Sequence, residues 1–251
     1  MKTNKDNKVL IIIPTYNEND NIEKIISIIR GLRTKVEKSI EVLIIDDSSP
    51  DGTASTVKNL QSMESTNDKI LHLIVRDGKQ GLATAYCKGF KWAIKNEYDY
   101  IIQMDADLSH DPNDIIRFLD KISKYDLIVG SRYKTGVNVV NWPLRRLFLS
   151  YFANVYARIF TGMKIKDLTS GFKCIKIEAL KNININNIKS EGYSFQIEIN
   201  FLFYNKGYNI YEMPIIFHDR TVGQSKMSKK IILEAIFRVP IFRIKKIFNI
   251  K

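Results

Sequence analysis

Short apolar runs alternate with helical patterns along the first half of the chain. The apolar runs predict five strands, at residues 9–13, 41–45, 70–75, 100–104 and 126–130. Between them, apolar periodicity and helix-start signals predict helices at 22–29, from Thr53 onward, at 81–95 and at 113–123. Strands that alternate with helices of this length form parallel βαβ units. We therefore predict one doubly wound α/β sheet.

Two amphipathic segments follow in the second half. Residues 142–160 alternate aromatic and aliphatic side chains with polar ones, so that one face of the predicted helix is apolar. In residues 228–251, charges recur every four positions among apolar residues, and we expect Pro240 to kink the helix. No apolar stretch between these charges exceeds four residues, which is too short to span a bilayer. Each segment could pack on its own domain or lie along a membrane, and the pattern leaves both open.

The net charge of +12 is concentrated in the same half of the chain. Residues 220–251 contain nine Lys or Arg and one acid, and residues 132–162 contain five Lys or Arg and no acid. Such a surface could attract nucleic acid, an anionic membrane or a phosphorylated substrate. The two cysteines, Cys87 and Cys174, indicate neither a disulfide framework nor a zinc site.

Acidic residues collect where the predicted strands end. Asp105 and Asp107 directly follow the fourth strand and could hold one divalent cation through their oxygens. Such a cation would let an acidic edge accept a diphosphate, since the chain has no glycine-rich phosphate loop. The competing interpretation, favoured for Asp51, is that these acids only cap helices and shape turns. The acids concerned are Glu18, Asp46, Asp47, Asp51, Asp105 and Asp107.

Several motifs resemble, in order, those of the family-two glycosyltransferases with the GT-A fold. In the first half they are Pro14-Thr15-Tyr16-Asn17-Glu18 and the segments 46–53, 81–86 and 104–110. Four later segments are similar to the branch of that family that transfers mannose to dolichyl phosphate; they are 130–133, 167–173, 192–198 and 219–226. The Gln-x-x-Arg-Trp motif of processive polysaccharide synthases is absent, so we do not expect chain elongation.

This resemblance implies a GT-A fold, a Rossmann-like, mostly parallel sheet with interfacial amphipathic helices. It also implies metal-dependent, inverting transfer of mannose from GDP-mannose to dolichyl phosphate, with Mg²⁺ or Mn²⁺ as the cation. The product would serve glycoprotein and GPI-anchor synthesis. No protein base is needed, because a phosphomonoester with a second pKa of about 6 is already an anion. His72, His110 and His218 are therefore interpreted as packing or hydrogen-bonding residues.

The resemblance also assigns roles to individual residues. Asp105 and Asp107 would hold the metal, whereas Ser109 stands where some relatives have a Gln ligand. Asp107, Arg132 and Arg220 would be catalytic. The acceptor phosphate would meet Arg132, Arg146 and Ser150. The donor would meet Pro14, Tyr16, Glu18, Ile45, Asp47, Asp105, Ala106, Asp107, Arg220 and Lys226.

Domain organisation and location follow from the same resemblance. We expect a catalytic domain over residues 1–226, with its acceptor-binding part at 132–226, and a basic amphipathic segment at 227–251 without a transmembrane span. Relatives of this kind attach peripherally to the cytosolic face of the endoplasmic reticulum, or to the inner face of the plasma membrane in a prokaryote. Small membrane-anchoring subunits are expected partners, and nucleic acid is not.

Two other functions stay open on the sequence. The same carboxylates would suit a polyisoprenyl-phosphate glucosyltransferase that uses UDP-glucose. Alternatively, the chain could be a binding module that keeps the transferase fold without activity.

Overall fold

A computed structural model describes residues 7–66, 68–219 and 229–247. The strands in these ranges are β1 (Lys8–Thr15), β2 (Ser39–Asp46), β3 (Leu71–Val75), β4 (Tyr100–Gln103), β5 (Leu127–Ser131), β6 (Val139–Val140), β7 (Lys173–Lys176), β8 (Ile210–Pro214) and β9 (Phe217–His218). The α-helices are α1 (Asn19–Leu32), α2 (Thr53–Ser62), α3 (Leu82–Lys95), α4 (Asp114–Lys121), α5 (Leu144–Thr161), α6 (Ile177–Lys181), α7 (Gly192–Asn205) and α8 (Lys229–Ile247).

The central sheet has the strand order β3-β2-β1-β4-β7-β5-β8. The five strands expected from the apolar runs are present, and with β8 they all run parallel. The prediction of a doubly wound parallel sheet missed β7, which lies antiparallel between β4 and β5. Its sequence, Lys-Cys-Ile-Lys, lacks a sustained apolar run, so hydrophobic pattern alone gives no strand signal there.

Both faces of the sheet are covered by helices. Ile11 and Ile13 of β1 face one core cluster, to which α1 and α4 contribute, while Leu10 and Ile12 face a second, to which α3 and α7 contribute. All four side chains are fully buried. Burial on two sides explains why β1 is an unbroken apolar run rather than an alternating one.

The C-terminal helix α8 packs on the domain through one of its faces. Val239 and Phe242 are buried in a third core cluster with Ala157 of α5 and Phe201 of α7. The helix continues through Pro240, and the kink expected there stays a prediction. Proline cannot donate to the carbonyl four residues earlier, which belongs to Ile236. The hydroxyl of Tyr156 supplies that hydrogen bond instead, at 2.6 Å. No helix among the described residues is long and apolar enough to cross a membrane.

Helix α3 packs tightly against the sheet at Gly89. A Cβ atom there would lie 2.8 Å from Cγ2 of Ile12, which is closer than packed carbon atoms normally come. We expect Gly89→Val to lower the free energy of unfolding by about 1–3 kcal/mol, because overpacking forces strain on the core.

Urea unfolding followed by circular dichroism would measure this loss. Gly31→Val is the matched control, since Gly31 lies in α1 with no atom within 4 Å of its Cβ position. Equal stability of the two variants would contradict this account of the α3–sheet contact.

Candidate active site

Three turns meet at the carboxyl edge of the sheet. They follow β1, β2 and β4, which are neighbours in the sheet. Each turn contains one non-glycine residue with a left-handed backbone, namely Asn17 (φ 57°), Ser48 (φ 52°) and Leu108 (φ 59°). Such backbone is uncommon outside glycine and is enriched where loops form binding sites. The edge predicted from the strand-end motifs therefore exists as one compact loop cluster.

Two of the six acids at this edge have structural roles. Asp46 is fully buried and accepts hydrogen bonds from Thr15 Oγ1 at 2.8 Å and from the Ser49 amide at 2.9 Å. Asp51 accepts from the amide and hydroxyl of Thr53 and from the Asn19 amide. These hydrogen bonds agree with the interpretation that Asp51 shapes the turn, in which Gly52 is the N-cap residue of α2. Fewer carboxylates at this edge are therefore available to a ligand than the sequence suggested.

Asp47 holds the loop that follows β3. Its carboxylate pairs with the buried guanidinium of Arg76, whose Nε lies 2.6 Å from Oδ1. Its Oδ2 accepts from the amides of Gln80 and Gly81 at 3.1 and 3.2 Å. Arg76 also donates to the Thr84 hydroxyl. A nucleotide bound here would meet an Asp47 that already organises the loop.

The other residues expected to bind the nucleotide differ in accessibility. Tyr16 is half-buried, and Lys79 Nζ lies 4.3 Å from its ring centroid. Glu18 accepts a hydrogen bond from the Asn21 side chain at 3.1 Å, and Pro14 is half-buried. Ile45, in contrast, has its side chain fully buried against the α3 face of the sheet. The Ile45 side chain is therefore not available to a ligand.

The two carboxylates that follow β4 differ in exposure. The Asp105 side chain is 39% exposed, whereas Asp107 is buried. Asp107 Oδ1 accepts from both the amide and the hydroxyl of Ser109, at 3.1 and 2.6 Å. Ala106 between them is buried. Ser109 therefore orients Asp107.

The donor set at Asp105 and Asp107 fits a hard divalent cation. Carboxylate oxygens are the ligands that Mg²⁺ and Mn²⁺ prefer. Across the described ranges, no group of three or more His, Cys, Asp or Glu side chains could enclose a metal ion. Two carboxylates suit a cation that takes its remaining ligands from water and substrate phosphates.

His110 and His72 have the packing or hydrogen-bonding roles that the sequence predicted, whereas His218 of β9 is exposed. His110 is buried, stacks on Phe172 with ring centroids 4.8 Å apart, and accepts from the Asp105 amide through Nδ1. Burial lowers its pKa and favours the neutral ring. His72 contacts Glu41 at 2.6 Å on the outer part of the sheet. Neither ring is placed to act as a general base at the strand edge.

A buried cation lies behind Asp105. Lys173 of β7 is fully buried, and its Nζ donates to the Ser170 carbonyl and to Oε1 of Gln196. Burial lowers the pKa of Lys173 to about 7, against the opposing effect of Asp167 and Asp105.

Arg132, expected to bind the acceptor phosphate, is held by a buried acid. Its amide, Nε and Nη2 all donate to the Asp167 carboxylate at 2.7–2.9 Å, and Nη2 also reaches the Thr169 hydroxyl at 2.8 Å. Burial raises the pKa of Asp167, but the ion pair with Arg132 outweighs it and lowers the pKa overall. The pair is therefore ionised, and most of the arginine charge is already balanced.

A cavity of about 270 Å³ lies between α5, α7 and α8. Arg132, Arg146, Ser150 and Thr169 form a polar end of its wall. Arg132 donates to the Thr169 hydroxyl, and the Arg132 and Arg146 guanidinium groups lie 5.4 and 4.2 Å from the Trp142 ring centroid. Ser150 follows Arg146 by one turn of α5. The rest of the wall is aliphatic and aromatic, formed by Trp142, Leu149, Phe152, Ala153, Tyr156, Tyr193, Ile197, Ala235, Ile236 and Val239. The three residues expected at the acceptor phosphate are thus brought together at one end of an apolar cavity.

The polar end of the cavity is organised by neighbouring residues. The Arg146 guanidinium lies 4.2 Å from the Trp142 ring centroid and donates to Asp219 at 2.6 Å. The Ser150 hydroxyl accepts from Tyr133 at 2.8 Å. Arg220 and Lys226, the remaining residues expected at the site, lie outside the described residues.

Several residues that shape the site had no role in the sequence prediction. Arg76, Asp167 and Gln196 are far from Asp105 in sequence and reach the site through the fold. Asp167 and Gln196 lie within motifs that indicated the family. Their positions in the sequence do not show that Asp167 pairs with Arg132 or that Gln196 pairs with Lys173. Arg76 directly follows the third strand, and this position at the end of a strand was the only sequence feature that could have placed it at the site.

Comparison with known proteins identifies the class. A model described as Glycosyl transferase family 2 matches residues 10–183. This span exceeds half of the chain, and the chain therefore belongs to glycosyl transferase family 2.

Two relatives are similar in sequence to this chain over most of its length. A polyprenol monophosphomannose synthase of Mycolicibacterium smegmatis is 40% identical over 92% of this chain and 85% of its own length. An undecaprenyl-phosphate mannosyltransferase of Micrococcus luteus is 39% identical over 92% of both chains. Among solved structures, the mannosyl-3-phosphoglycerate synthase of Rubrobacter xylanophilus has a TM-score of 0.66 at 16% identity, covering 97% of this chain and 76% of that one. The predicted GT-A fold is confirmed.

We expect Asp167→Ala to be strongly destabilising, because it leaves the buried Arg132 guanidinium without its counter-charge. Removing one partner of a buried ion pair costs about 3–5 kcal/mol. Thermal unfolding of the purified variant would measure the loss.

The control is Asp68→Ala, which removes a similar two-bond pair with Arg33 at the surface. Water screens that pair, so its loss should leave the melting temperature nearly unchanged. A small effect of Asp167→Ala would contradict a stabilising role for the buried pair.

Proposed function

We propose that this protein transfers a mannosyl group from GDP-mannose to the phosphate of a polyprenyl phosphate, with dolichyl phosphate as the acceptor inferred from the sequence. The observation that carries the proposal is the cavity between α5, α7 and α8, which is apolar along most of its wall and has arginines at one end. A lipid phosphate has the same division between an apolar chain and an anionic head. The relatives named for polyprenol and undecaprenyl phosphate support the same acceptor class.

The arginines suit a phosphate acceptor in particular. A guanidinium can donate two parallel hydrogen bonds to one phosphate, and Arg146 stacks on Trp142 at the polar end of the cavity. Binding there requires the phosphate to compete with Asp219 for Arg146. The Arg132 charge is shared with Asp167, so Arg132 contributes mainly its fixed geometry to the same polar end.

The surroundings of the cavity also favour an acceptor that needs no base. Of the described acids near its polar end, Asp167 and Asp219 are both paired with arginines. The ion pair with Arg132 lowers the pKa of Asp167, which makes it a poor base, and the Asp219 carboxylate is engaged by the Arg146 guanidinium. A phosphate monoester is already an anion near neutral pH and can attack the anomeric carbon directly. The protein's task is then to bring two anions together in line.

On the donor side, Asp105 and Asp107 would hold the cation, with Ser109 orienting Asp107. When bound, Mg²⁺ or Mn²⁺ supplies charge neutralisation to the departing diphosphate. A glucosyl-3-phosphoglycerate synthase of similar fold was crystallised with Mn²⁺ and UDP-glucose, which supports a divalent cation at this edge. The loop held by the Asp47–Arg76 pair would border the nucleotide, and Tyr16 offers its ring to the base.

The exposed faces of α5 and α8 support attachment to a membrane. Phe148 is 57% exposed and Phe237 is 70% exposed, and further aliphatic side chains on the same helices are exposed with basic residues among them. Exposed apolar side chains rimmed by Lys and Arg suit an anionic lipid surface. We therefore propose peripheral attachment, at the cytosolic face of the endoplasmic reticulum if the acceptor is dolichyl phosphate. Product use in glycoprotein and GPI-anchor synthesis would follow from that acceptor.

The deciding assay measures transfer of labelled mannose from GDP-mannose to detergent-dispersed dolichyl or undecaprenyl phosphate, with and without Mg²⁺ or Mn²⁺. UDP-glucose is the parallel donor. Metal-dependent lipid labelling from GDP-mannose would support the proposal. Labelling from UDP-glucose alone would move the assignment to a glucosyltransferase, and no labelling from either would favour a non-catalytic relative or a required subunit.

We expect Asp107→Ala to reduce turnover at least about a hundredfold, because one of two proposed metal ligands is lost. The same assay measures this, with Asp120→Ala on the exposed side of α4 as the control. Turnover of Asp107→Ala within a few-fold of the wild type would exclude Asp107 as a required ligand.

Replacing Phe148 and Phe237 together by Asp should weaken binding to anionic phospholipid vesicles at least about tenfold, since each exposed ring would otherwise enter the lipid surface. Vesicle flotation measures the bound fraction. Met63→Asp is the control, because Met63 is 77% exposed at the end of α2. Undiminished flotation of the double variant would refute membrane contact through these faces.

A further inference from the structure

The buried pair of Lys173 and Gln196 fixes the orientation of an amide. Lys173 Nζ donates to Gln196 Oε1 and to the Ser170 carbonyl. In its protonated form Lys173 can only donate hydrogen bonds, so the oxygen of the Gln196 amide faces it in that form. Nε2 of Gln196 is consequently directed away from Lys173. Because Gln196 is 2% exposed, it has little freedom to adopt another rotamer.

That amide nitrogen borders a small space at Gly171. A Cβ atom built on Gly171 would lie 3.5 Å from Gln196 Nε2, and 3.5 and 3.6 Å from the two carboxylate oxygens of Asp105. We call the space bounded by Gly171, Asp105 and Gln196 the Gly171 gap. Gly171 and Asp105 are both partly exposed, so the gap opens toward the carboxyl edge of the sheet.

The chemistry of the Gly171 gap matches a hydroxyl group. One wall presents an N–H donor and another presents carboxylate acceptors, and a sugar hydroxyl can accept from the first and donate to the second. Asp105 is also a proposed ligand of the cation that binds the donor diphosphate. The transferred sugar is attached to that diphosphate and must therefore lie close by.

We propose that Gln196 binds the donor sugar through a hydrogen bond from Nε2 to one of its hydroxyls, and that Lys173 is a positioning residue that holds the amide in this orientation. The inference rests on the proposed function, because it requires a sugar nucleotide at this edge.

A purely structural role explains Lys173 less well. Burying an ammonium group is costly, and an apolar side chain of similar length could fill the same place without that cost. A lysine is favoured over an apolar side chain where its hydrogen bonds have a function. Here the hydrogen bond from Lys173 to Gln196 determines which end of the amide faces Asp105. Asp167 and Asp105 are the acids whose charges favour the protonated lysine.

Gly171→Ala is the sharpest test. The new methyl group would fill the gap, yet its contacts of 3.5 Å are ordinary and Gly171 has no left-handed backbone, so the fold should be retained. Titration calorimetry with Mn²⁺ would compare the affinities for GDP-mannose and for GDP. We expect the ratio of the two affinities to fall about tenfold, with the GDP affinity unchanged.

Gln196→Glu and Lys173→Met test the amide itself. Glutamate keeps an acceptor for Lys173 but has no N–H, and methionine frees the amide to turn. Both should lower the same ratio about three- to tenfold, since one hydrogen bond to the sugar is lost. Gln61→Glu is the matched control, because it removes an amide that donates to the Leu71 carbonyl away from this edge.

The outcomes separate this inference from the proposed function. If the wild type turns over UDP-glucose and not GDP-mannose, the titrations are made with UDP-glucose and UDP. An active wild type whose variants keep the wild-type affinity ratio, or lose nucleotide and sugar-nucleotide affinity equally, would overturn the inference alone. A wild type that binds neither sugar nucleotide would overturn both.

Discussion

The buried ion pair between Arg132 and Asp167 connects the two halves of the site. Arg132 follows β5, and Asp167 lies on the segment that leads from α5 into β7. Glu212 of β8 fixes the same segment, because one of its oxygens accepts from the amides of Lys166 and Asp167 and from the Ser131 hydroxyl. Each group in this network is buried and partnered, which is the condition under which buried charge gives a unique structure rather than strain.

This network holds the acceptor cavity and the strand-end carboxylates close to each other. The segment that Asp167 anchors continues through Thr169, in the wall of the apolar cavity, to Gly171, beside Asp105. A donor at the strand edge and an acceptor phosphate in the cavity would thus meet across a few consecutive residues. Asn154 of α5 tightens the connection, since its side chain accepts from the amides of Leu168 and Thr169. In-line displacement requires this degree of mutual placement.

Helices α5 and α8 each have two functions in this arrangement. Their inner faces close the cavity, with Val239 and Ala157 buried between them. Their outer faces leave aromatic and aliphatic side chains exposed. Docking on the domain and contact with a membrane had been alternatives for these segments. The structure shows that docking uses only part of each helix, so the two are compatible.

The sequence by itself determined the βα order, the strand-end carboxylates and the family, because these depend on local apolar periodicity and short motifs. Its interpretations that Asp51 shapes a turn and that His110 packs agree with the contacts of these residues. Only the tertiary structure decided that β7 enters the sheet antiparallel, that Asp46 and Asp47 are occupied by protein partners, and that Arg132 is neutralised by Asp167. Each of these depends on contacts between residues about thirty or more positions apart. Local sequence patterns do not predict which buried charged groups will pair, because the packing of whole helices and strands determines which side chains come into contact.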